Sequence, residues 1–186
     1  AAQTLRGILE TDPYQMDVHY RIGKCYMTML EGTANKDERQ KLQGMAEEEF
    51  RKEVEVNPKN YEAYCELSQF YLDTFHYEKA RDTLAQAMKL EPSKWRAHYL
   101  LMHVHKRLGD RDVDTEANYE LASTHADELI RRRGEKTPEY YDAIIVQALI
   151  MIKRKQYQEA ETKLEQVRGD LEARPLATLS RIERNC

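Results

Sequence analysis

Hydrophobic positions between Asn60 and Pro92 recur at spacings of three and four residues in two successive runs. Such spacing places them on one face of a helix, so the stretch is predicted to form two amphipathic helices joined by a short turn. Proline cannot continue a helix, so Pro92 ends the second run, and Pro58 marks the same point one unit earlier. The packing positions are Tyr64, Leu67, Ser68 and Tyr71 in the first helix and Ala80, Leu84 and Ala87 in the second.

The order of large and small residues in this stretch resembles the tetratricopeptide repeat, a helix–turn–helix unit of about 34 residues. Small residues at Ala80 and Ala87 allow two antiparallel helices to approach closely, and the large residues fill the seam between them. The resemblance implies an all-α fold, a right-handed solenoid of antiparallel helix pairs with a capping helix at the C-terminal end.

The pattern continues, less regularly, over nearly the whole chain, which we interpret as one repeat domain covering residues 1–186. Leu5 and Ile8 fit the second helix of a repeat whose first helix is missing. We therefore expect the chain to start inside a longer array, as a processed or excised piece. The predicted units are a half repeat at 1–13, a repeat with an insertion at 14–59, the regular repeat at 60–93, a repeat with a long second helix at 94–134, a degenerate repeat at 137–170 and a capping helix at 174–184.

The repeat at 14–59 departs from the regular length. Its first helix is predicted from Met16 to about Leu30, with the small residue Gly23 where the next helix comes close. The pattern of the second helix then resumes about eleven residues later than it would in a repeat of regular length. The composition of Glu38 to Val56 favours added helical turns over a dedicated binding loop.

The repeat at 94–134 leaves its second helix ambiguous. A turn is expected at Gly109 and Asp110, followed by one long helix that ends at Gly134. One packing set ends in Thr124 and the other in Leu129, and the second is preferred because leucine is the better core residue. The two sets are Ala117, Leu121 and Thr124, and Ala122, Ala126 and Leu129. In the next repeat Gln147 stands where leucine is usual.

In solenoids of this family the first helices line the concave face, and the resemblance implies that their inner stripe meets a partner. Tyrosines on that stripe offer rigid amphipathic surface, and lysines and arginines offer donors for carboxylates. The predicted partner is an extended peptide or a helix, with acidic character or a C-terminal carboxylate. The groove residues are Tyr20, Lys24, Gln69, Arg96, Tyr99, His103, Lys106 and Arg107.

Two further features of this groove limit the prediction. The Lys, Asn and Arg clamp of repeat proteins that hold the acidic tails of heat-shock chaperones is not reproduced, because Lys24, Gln69 and His103 stand where asparagine is expected. One end of the groove is apolar through Ile145, Leu149 and Ile152, and the helix that begins at Pro175 is expected to cover it.

Other chemistry has little support in the sequence. His98 and His105 fall at packing positions and His103 points away from both, so these histidines are predicted to serve the core rather than a metal. No phosphate-binding glycine loop and no nucleophile motif is present, and neither catalysis nor a cofactor is predicted. The basic runs 131–133 and 153–155 lie at predicted helix ends, where cations stabilise the helix dipole, so nucleic-acid binding is not predicted either.

Composition adds two bounds. The composition of 41% hydrophobic and 33% charged residues is typical of a folded helical protein. The net charge of −4 is small for this length, so it neither requires nor excludes a charged partner. The apolar run from Ala143 to Ile152 is shorter than the roughly 20 residues that cross a bilayer. Three cysteines without CxxC spacing favour a reducing compartment and hence the cytoplasm, while a periplasmic location or an anchored, longer precursor stays open.

The sequence therefore predicts a non-enzymatic protein-interaction scaffold that holds a peptide or a partner helix in its groove. The alternative is a structural module that associates with further copies of itself through its open N-terminal edge, giving a homo-oligomer.

Overall fold

The computed structural model describes residues 2–133 and 137–172, and within these ranges the chain forms nine helices and no strand. The predicted capping helix at 174–184 and the predicted helix end at Gly134 lie outside the described residues. The helices are α1 (Ala2–Thr11), α2 (Val18–Glu31), α3 (Lys36–Val56), α4 (Tyr61–Asp73), α5 (Tyr77–Leu90), α6 (Trp95–Asp110), α7 (Thr115–Arg133), α8 (Pro138–Lys153) and α9 (Tyr157–Glu172).

The described residues fall into two compact units, which divide within α6 between Leu100 and Leu101. Unit 1 contains α1 to α5 and the first turns of α6. Unit 2 contains the rest of α6 and α7 to α9. Each has its own buried apolar residues, such as Phe50 in unit 1 and Leu129 in unit 2, both fully inaccessible to solvent.

In unit 1 the helix pair α2 and α3 packs closely through Gly23. A Cβ atom at Gly23 would lie 2.6 Å from Cε1 of the buried Phe50 ring, so only glycine permits this approach. The insertion predicted in this repeat lengthens α3, which has 21 residues against 14 in α5. The sequence-based preference for added helical turns is therefore confirmed.

The pair α4 and α5 follows the regular repeat. Ala80, Leu84 and Ala87 are fully buried on α5, as their spacing predicts. In the turn between the two helices Phe75 has a left-handed backbone (φ 63°), and the following amide, His76 N, donates to Tyr71 O at 2.8 Å. This bond closes the end of α4 and reverses the chain into α5.

In unit 2 the expected turn at Gly109 and Asp110 is wrong, because both residues belong to the last turn of α6. The reversal lies after them, where Asp112 and Asp114 have positive φ angles of 59° and 38°. Gly109 is small for a different reason, since a Cβ there would lie 2.6 Å from the Tyr119 ring. It is a close-contact position between α6 and α7, and pattern alone does not separate this role from a turn glycine.

The register of α7 and the unusual Gln147 are both explained by packing in unit 2. Ala122, Ala126 and Leu129 are fully buried and Thr124 is exposed, so the preferred packing set is confirmed. The side chain of Gln147 is buried between three helices. Its Nε2 donates to Asp127 Oδ1 on α7 at 2.7 Å, and its Oε1 accepts from Lys163 Nζ on α9 at 2.8 Å. These partners satisfy a polar group where leucine is usual.

Candidate functional site

Four charged side chains connect α2, α4 and α6 within unit 1. Lys24 Nζ on α2 donates to Glu66 Oε1 on α4 at 3.0 Å, and Arg96 Nη2 on α6 donates to the same oxygen at 2.8 Å. Arg96 Nη1 also donates to Glu62 Oε2 at 2.8 Å. The four side chains form one continuous chain of ion pairs across α2, α4 and α6, which are the first helices of three successive repeats. We call the surface around it the ladder face, formed by Tyr20, Lys24, Glu62, Glu66, Gln69, Arg96 and Tyr99.

The charges of the ladder face differ in burial. The side chain of Glu66 is 8% exposed and that of Arg96 27%, whereas Lys24 and Glu62 are each 46% exposed. Burial alone raises the pKa of the Glu66 carboxyl, but the hydrogen bonds and charges of Arg96 and Lys24 outweigh it, so the pKa lies below its usual value. Burial likewise opposes the charge of Arg96 and lowers its pKa, but the hydrogen bond and charge of Glu66 outweigh this and raise the pKa above its usual value. Both groups are therefore ionised at neutral pH.

Two tyrosines flank these charges. Burial raises the pKa of Tyr20, and the negative charge of Glu66 raises it further, against a smaller opposing effect of Arg96. The Tyr20 ring packs on the Phe50 ring at a centroid distance of 6.2 Å. Tyr99 lies one turn after Arg96 on α6 and packs edge-on against Trp95 at 6.2 Å. Both rings are held by neighbours and partly exposed.

A buried carboxylate on α3 fixes the start of α2 and α4. Glu53 is fully buried and accepts four hydrogen bonds, two of them from the backbone amides of Asp17 and Tyr20 at 3.0 and 3.1 Å. The other two come from Nδ2 of Asn57 at 3.2 Å and of Asn60 at 2.9 Å. The first two bonds replace the local cap that Asp17 does not provide, and they position the turn that carries Tyr20.

Asn60 links this cap to α4. Its Oδ1 accepts from Ala63 N at 3.0 Å, which caps the N-terminus of α4. Its Nδ2 donates to Glu53 and also to Asp17 Oδ1 at 3.0 Å. One asparagine thus joins the N-terminal ends of α2 and α4. This contact fixes the relative position of the two helices that carry most of the ladder face.

Five of the eight residues predicted for the groove lie on the ladder face. Lys24 and Arg96 are brought together, but through Glu66, which the prediction did not include among the groove residues. Gln69 lies further along α4, where its Nε2 donates to Asp73 Oδ1 at 2.8 Å. The two predicted cations of the ladder face, Lys24 and Arg96, are therefore already bound to carboxylates of the protein.

The other three predicted residues belong to unit 2. His103 Nε2 lies 2.8 Å from Asp142 Oδ2 on α8, and Lys106 Nζ donates to Asp110 Oδ2 at 2.6 Å. Arg107 is exposed on α6. In unit 2, as in unit 1, a predicted groove residue on one first helix contacts a carboxylate on the next first helix, here His103 on α6 and Asp142 on α8.

The predicted apolar stripe of α8 is partly open among the described residues. Leu149 is 42% and Ile152 is 40% exposed. Ile152 borders a cleft of about 480 Å³ that is lined further by Tyr157, Ala160 and Leu164 of α9. The helix expected to cover this stripe, from Pro175, lies outside the described residues.

The histidines of α6 behave as core residues. His98 and His105 are 5% and 7% exposed, and His105 Nδ1 lies 2.7 Å from Asn118 Oδ1, so their predicted packing role is confirmed. Burial raises the pKa of the Cys65 thiol to about 11, which leaves little thiolate at neutral pH. Over 2–133 and 137–172, no three acidic, histidine or cysteine side chains are grouped so that they could hold a metal ion. None of the helices described there has the length and apolarity to cross a membrane.

Comparison with solved structures identifies the fold. The crystal structure of MamA superposes with a TM-score of 0.71 at 20% identity, covering 92% of this chain and 86% of MamA. YrrB, described as a TPR protein with an unusual peptide-binding site, gives 0.68 at 14% identity over 97% of this chain and 81% of its own. A tetratricopeptide repeat protein from Parabacteroides merdae gives 0.53 at 15% identity, covering 94% and 73%. No family model matches the sequence, and no curated protein matches it either. The chain has the tetratricopeptide-repeat fold, an α-solenoid of antiparallel helix pairs.

Proposed function

We propose that this chain is a non-enzymatic protein-interaction scaffold that holds a peptide segment or a helix of a partner against the ladder face. One observation carries the proposal: the ion pairs among Lys24, Glu66 and Arg96 hold side chains of three first helices in one arrangement. A surface that is already ordered loses little conformational entropy when a ligand binds. The fold supports the proposal, since YrrB, which shares it, is described as having a peptide-binding site.

The favoured ligand group is a carboxylate, from an acidic side chain or a C-terminus. Lys24 gives one N–H to Glu66 and keeps its other donors, and its side chain is 46% exposed. Arg96 likewise has more N–H groups than its two carboxylate partners use. Tyr20 and Tyr99 add rigid amphipathic surface beside these donors, a residue type that often dominates binding energy.

Selection from a displayed peptide library, with both internal and free C-terminal peptides, tests the proposal. Binding of the selected peptides is then measured by calorimetry for Lys24→Ala and for Lys89→Ala. Lys89 is an exposed lysine on the second helix α5, away from the ladder face, so it matches the lost charge. We expect about tenfold weaker binding for Lys24→Ala, the loss of one charge-assisted hydrogen bond, and no more than about twofold for Lys89→Ala. Equal effects of the two variants would contradict the proposal.

The groove residues of unit 2 need their own test. His103, Lys106 and Arg107 are proposed to add binding surface on that unit, and Arg107→Glu changes the exposed member without breaking a described ion pair. If a selected peptide binds to this surface, Arg107→Glu weakens the binding and reduces its dependence on salt concentration. An unchanged affinity removes unit 2 from the proposed site.

Self-association is the second candidate, and one observation favours it. Three large apolar side chains are exposed at the N-terminal end of unit 1, namely Ile8 at 41%, Tyr14 at 77% and Met16 at 58%. Light scattering over a range of protein concentrations tests it. Growth of the mass with concentration, abolished in Ile8→Ser/Tyr14→Ser, supports assembly, whereas a constant monomer mass contradicts it.

A further inference from the structure

Glu66 places an anion inside the surface that is proposed to receive one. Its Oε1 accepts from Lys24 and from Arg96, and its side chain is 8% exposed. Glu62 holds the other side of the Arg96 guanidinium at 2.8 Å. The two cations and two carboxylates of the ladder face therefore cancel in formal charge.

This arrangement has a consequence for any acidic ligand. A ligand carboxylate that binds Lys24 or Arg96 must share the cation with Glu66, at a carboxylate separation of roughly 5 Å in a partly buried setting. Salt screens the partly buried Glu66 less than it screens fully exposed charges. The unused N–H donors of Lys24 form hydrogen bonds with one ligand carboxylate, which offsets its repulsion. Each further acidic side chain adds repulsion from Glu66 and Glu62 without gaining such donors.

We infer that Glu66 sets the charge selectivity of the ladder face, admitting a peptide with one carboxylate and rejecting a run of acidic side chains. The inference rests on the proposed function and deepens it. Like-charge repulsion against the wrong ligand is a general route to specificity. Glu66 also positions Lys24 and Arg96, so selectivity and order depend on the same side chain.

Binding of a defined probe tests this role. The probe is hexaglutamate with acetylated and amidated ends and a neutral fluorophore, and binding is followed by fluorescence anisotropy at low and moderate salt. Glu66→Gln keeps the shape of the side chain and an acceptor oxygen. Glu78→Gln, at an exposed position on α5, removes the same charge away from the ladder face. We expect about tenfold tighter binding and a steeper salt dependence for Glu66→Gln, and no more than about a twofold change for Glu78→Gln.

Two more variants make every result informative. Lys24→Gln/Glu66→Gln must lose most of the gain, because Lys24 is then absent and the remaining cation, Arg96, is still paired with Glu62. If Glu66→Gln does not fold, Glu62→Gln replaces it, since that side chain is half exposed, and a smaller gain in the same direction is expected. A gain no larger than that of Glu78→Gln, or one that persists undiminished in the double variant, overturns the inference.

The probe experiment and the library selection fail separately. Hexaglutamate binding does not depend on a natural ligand, so a gain in Glu66→Gln stands even if no library peptide is selected. Conversely, peptides that bind at Lys24 without any effect of Glu66 on hexaglutamate would support the proposed function and remove the role of Glu66.

Discussion

Replacement of Glu53 by alanine should destabilise unit 1 far more than its position in a charged helix suggests. The side chain is fully buried, and its carboxylate accepts from the backbone amides of Asp17 and Tyr20 and from the side chains of Asn57 and Asn60. The alanine variant leaves all four donors without this acceptor. An unsatisfied buried donor costs about 1–3 kcal/mol.

The four costs do not add fully, because water can enter the space left by the carboxylate. We therefore expect a loss of about 3–5 kcal/mol, near the lower end of the roughly 4–12 kcal/mol that four full penalties would give. For a unit of this size, each kcal/mol lowers the midpoint of thermal unfolding by about 4–8 °C. A shift of at least about 12 °C is predicted for the transition of unit 1.

Urea unfolding followed by circular dichroism measures the effect, with Glu55→Ala as the matched control. Glu55 lies two residues further along α3 and is exposed, so its removal should change the free energy of unfolding by no more than about 0.5 kcal/mol. A cost below about 1 kcal/mol for Glu53→Ala, or equal costs for both variants, would refute the assignment of Glu53 as the cap of α2.

Two further predictions concern packing and pH. Gly23→Ala should cost about 2 kcal/mol or more, because the new Cβ meets the Phe50 ring at 2.6 Å, whereas Gly44→Ala on the same helix pair, with nothing within 4 Å, should stabilise α3 by up to about 1 kcal/mol. Urea midpoints of the two variants check this, and a neutral Gly23→Ala would contradict the close approach. Because the pKa of Glu66 is lower in the folded protein than its ordinary value, its contribution to stability is fully present above that ordinary value. That contribution is lost as the pH falls through the folded pKa. Unfolding free energies between pH 7 and pH 3 should therefore fall less steeply in Glu66→Gln than in the unaltered protein, and identical slopes would count against the ion pairs.

Helix positions and packing sets could be predicted from the sequence because they depend on local periodicity. Ala80, Leu84 and Ala87 repeat at helical spacing, and their burial follows from that spacing alone. The preference for Leu129 in α7 needed only side-chain size. Gly109 was misjudged because a small residue serves a turn and a close helix contact equally well, and only the position of Tyr119 distinguishes them.

The ladder face could be predicted only in part. Lys24 and Arg96 were identified as cations on first helices, but their common partner Glu66 lies 42 residues from Lys24, and such a pairing depends on how the repeats stack. One signal was present in the sequence. Glu62 and Arg96 are 34 residues apart, one repeat length, so opposite charges occupy the same position of neighbouring first helices.

Glu53 had no comparable signal. It lies among other charged residues of α3 with the composition of a solvated helix. Two of its donors are the backbone amides of Asp17 and Tyr20, 36 and 33 residues earlier in the chain, and nothing in the local pattern marks them.

Chemical-shift mapping tests the central claim most directly, namely that the ladder face is where a partner binds. A selected peptide is titrated into isotope-labelled protein, and backbone amide shifts are followed residue by residue. The largest shifts are predicted around Tyr20, Lys24, Gln69, Arg96 and Tyr99. Shifts concentrated on the second helices α3 and α5, or around Ile8 and Tyr14 at the N-terminal end, would contradict it.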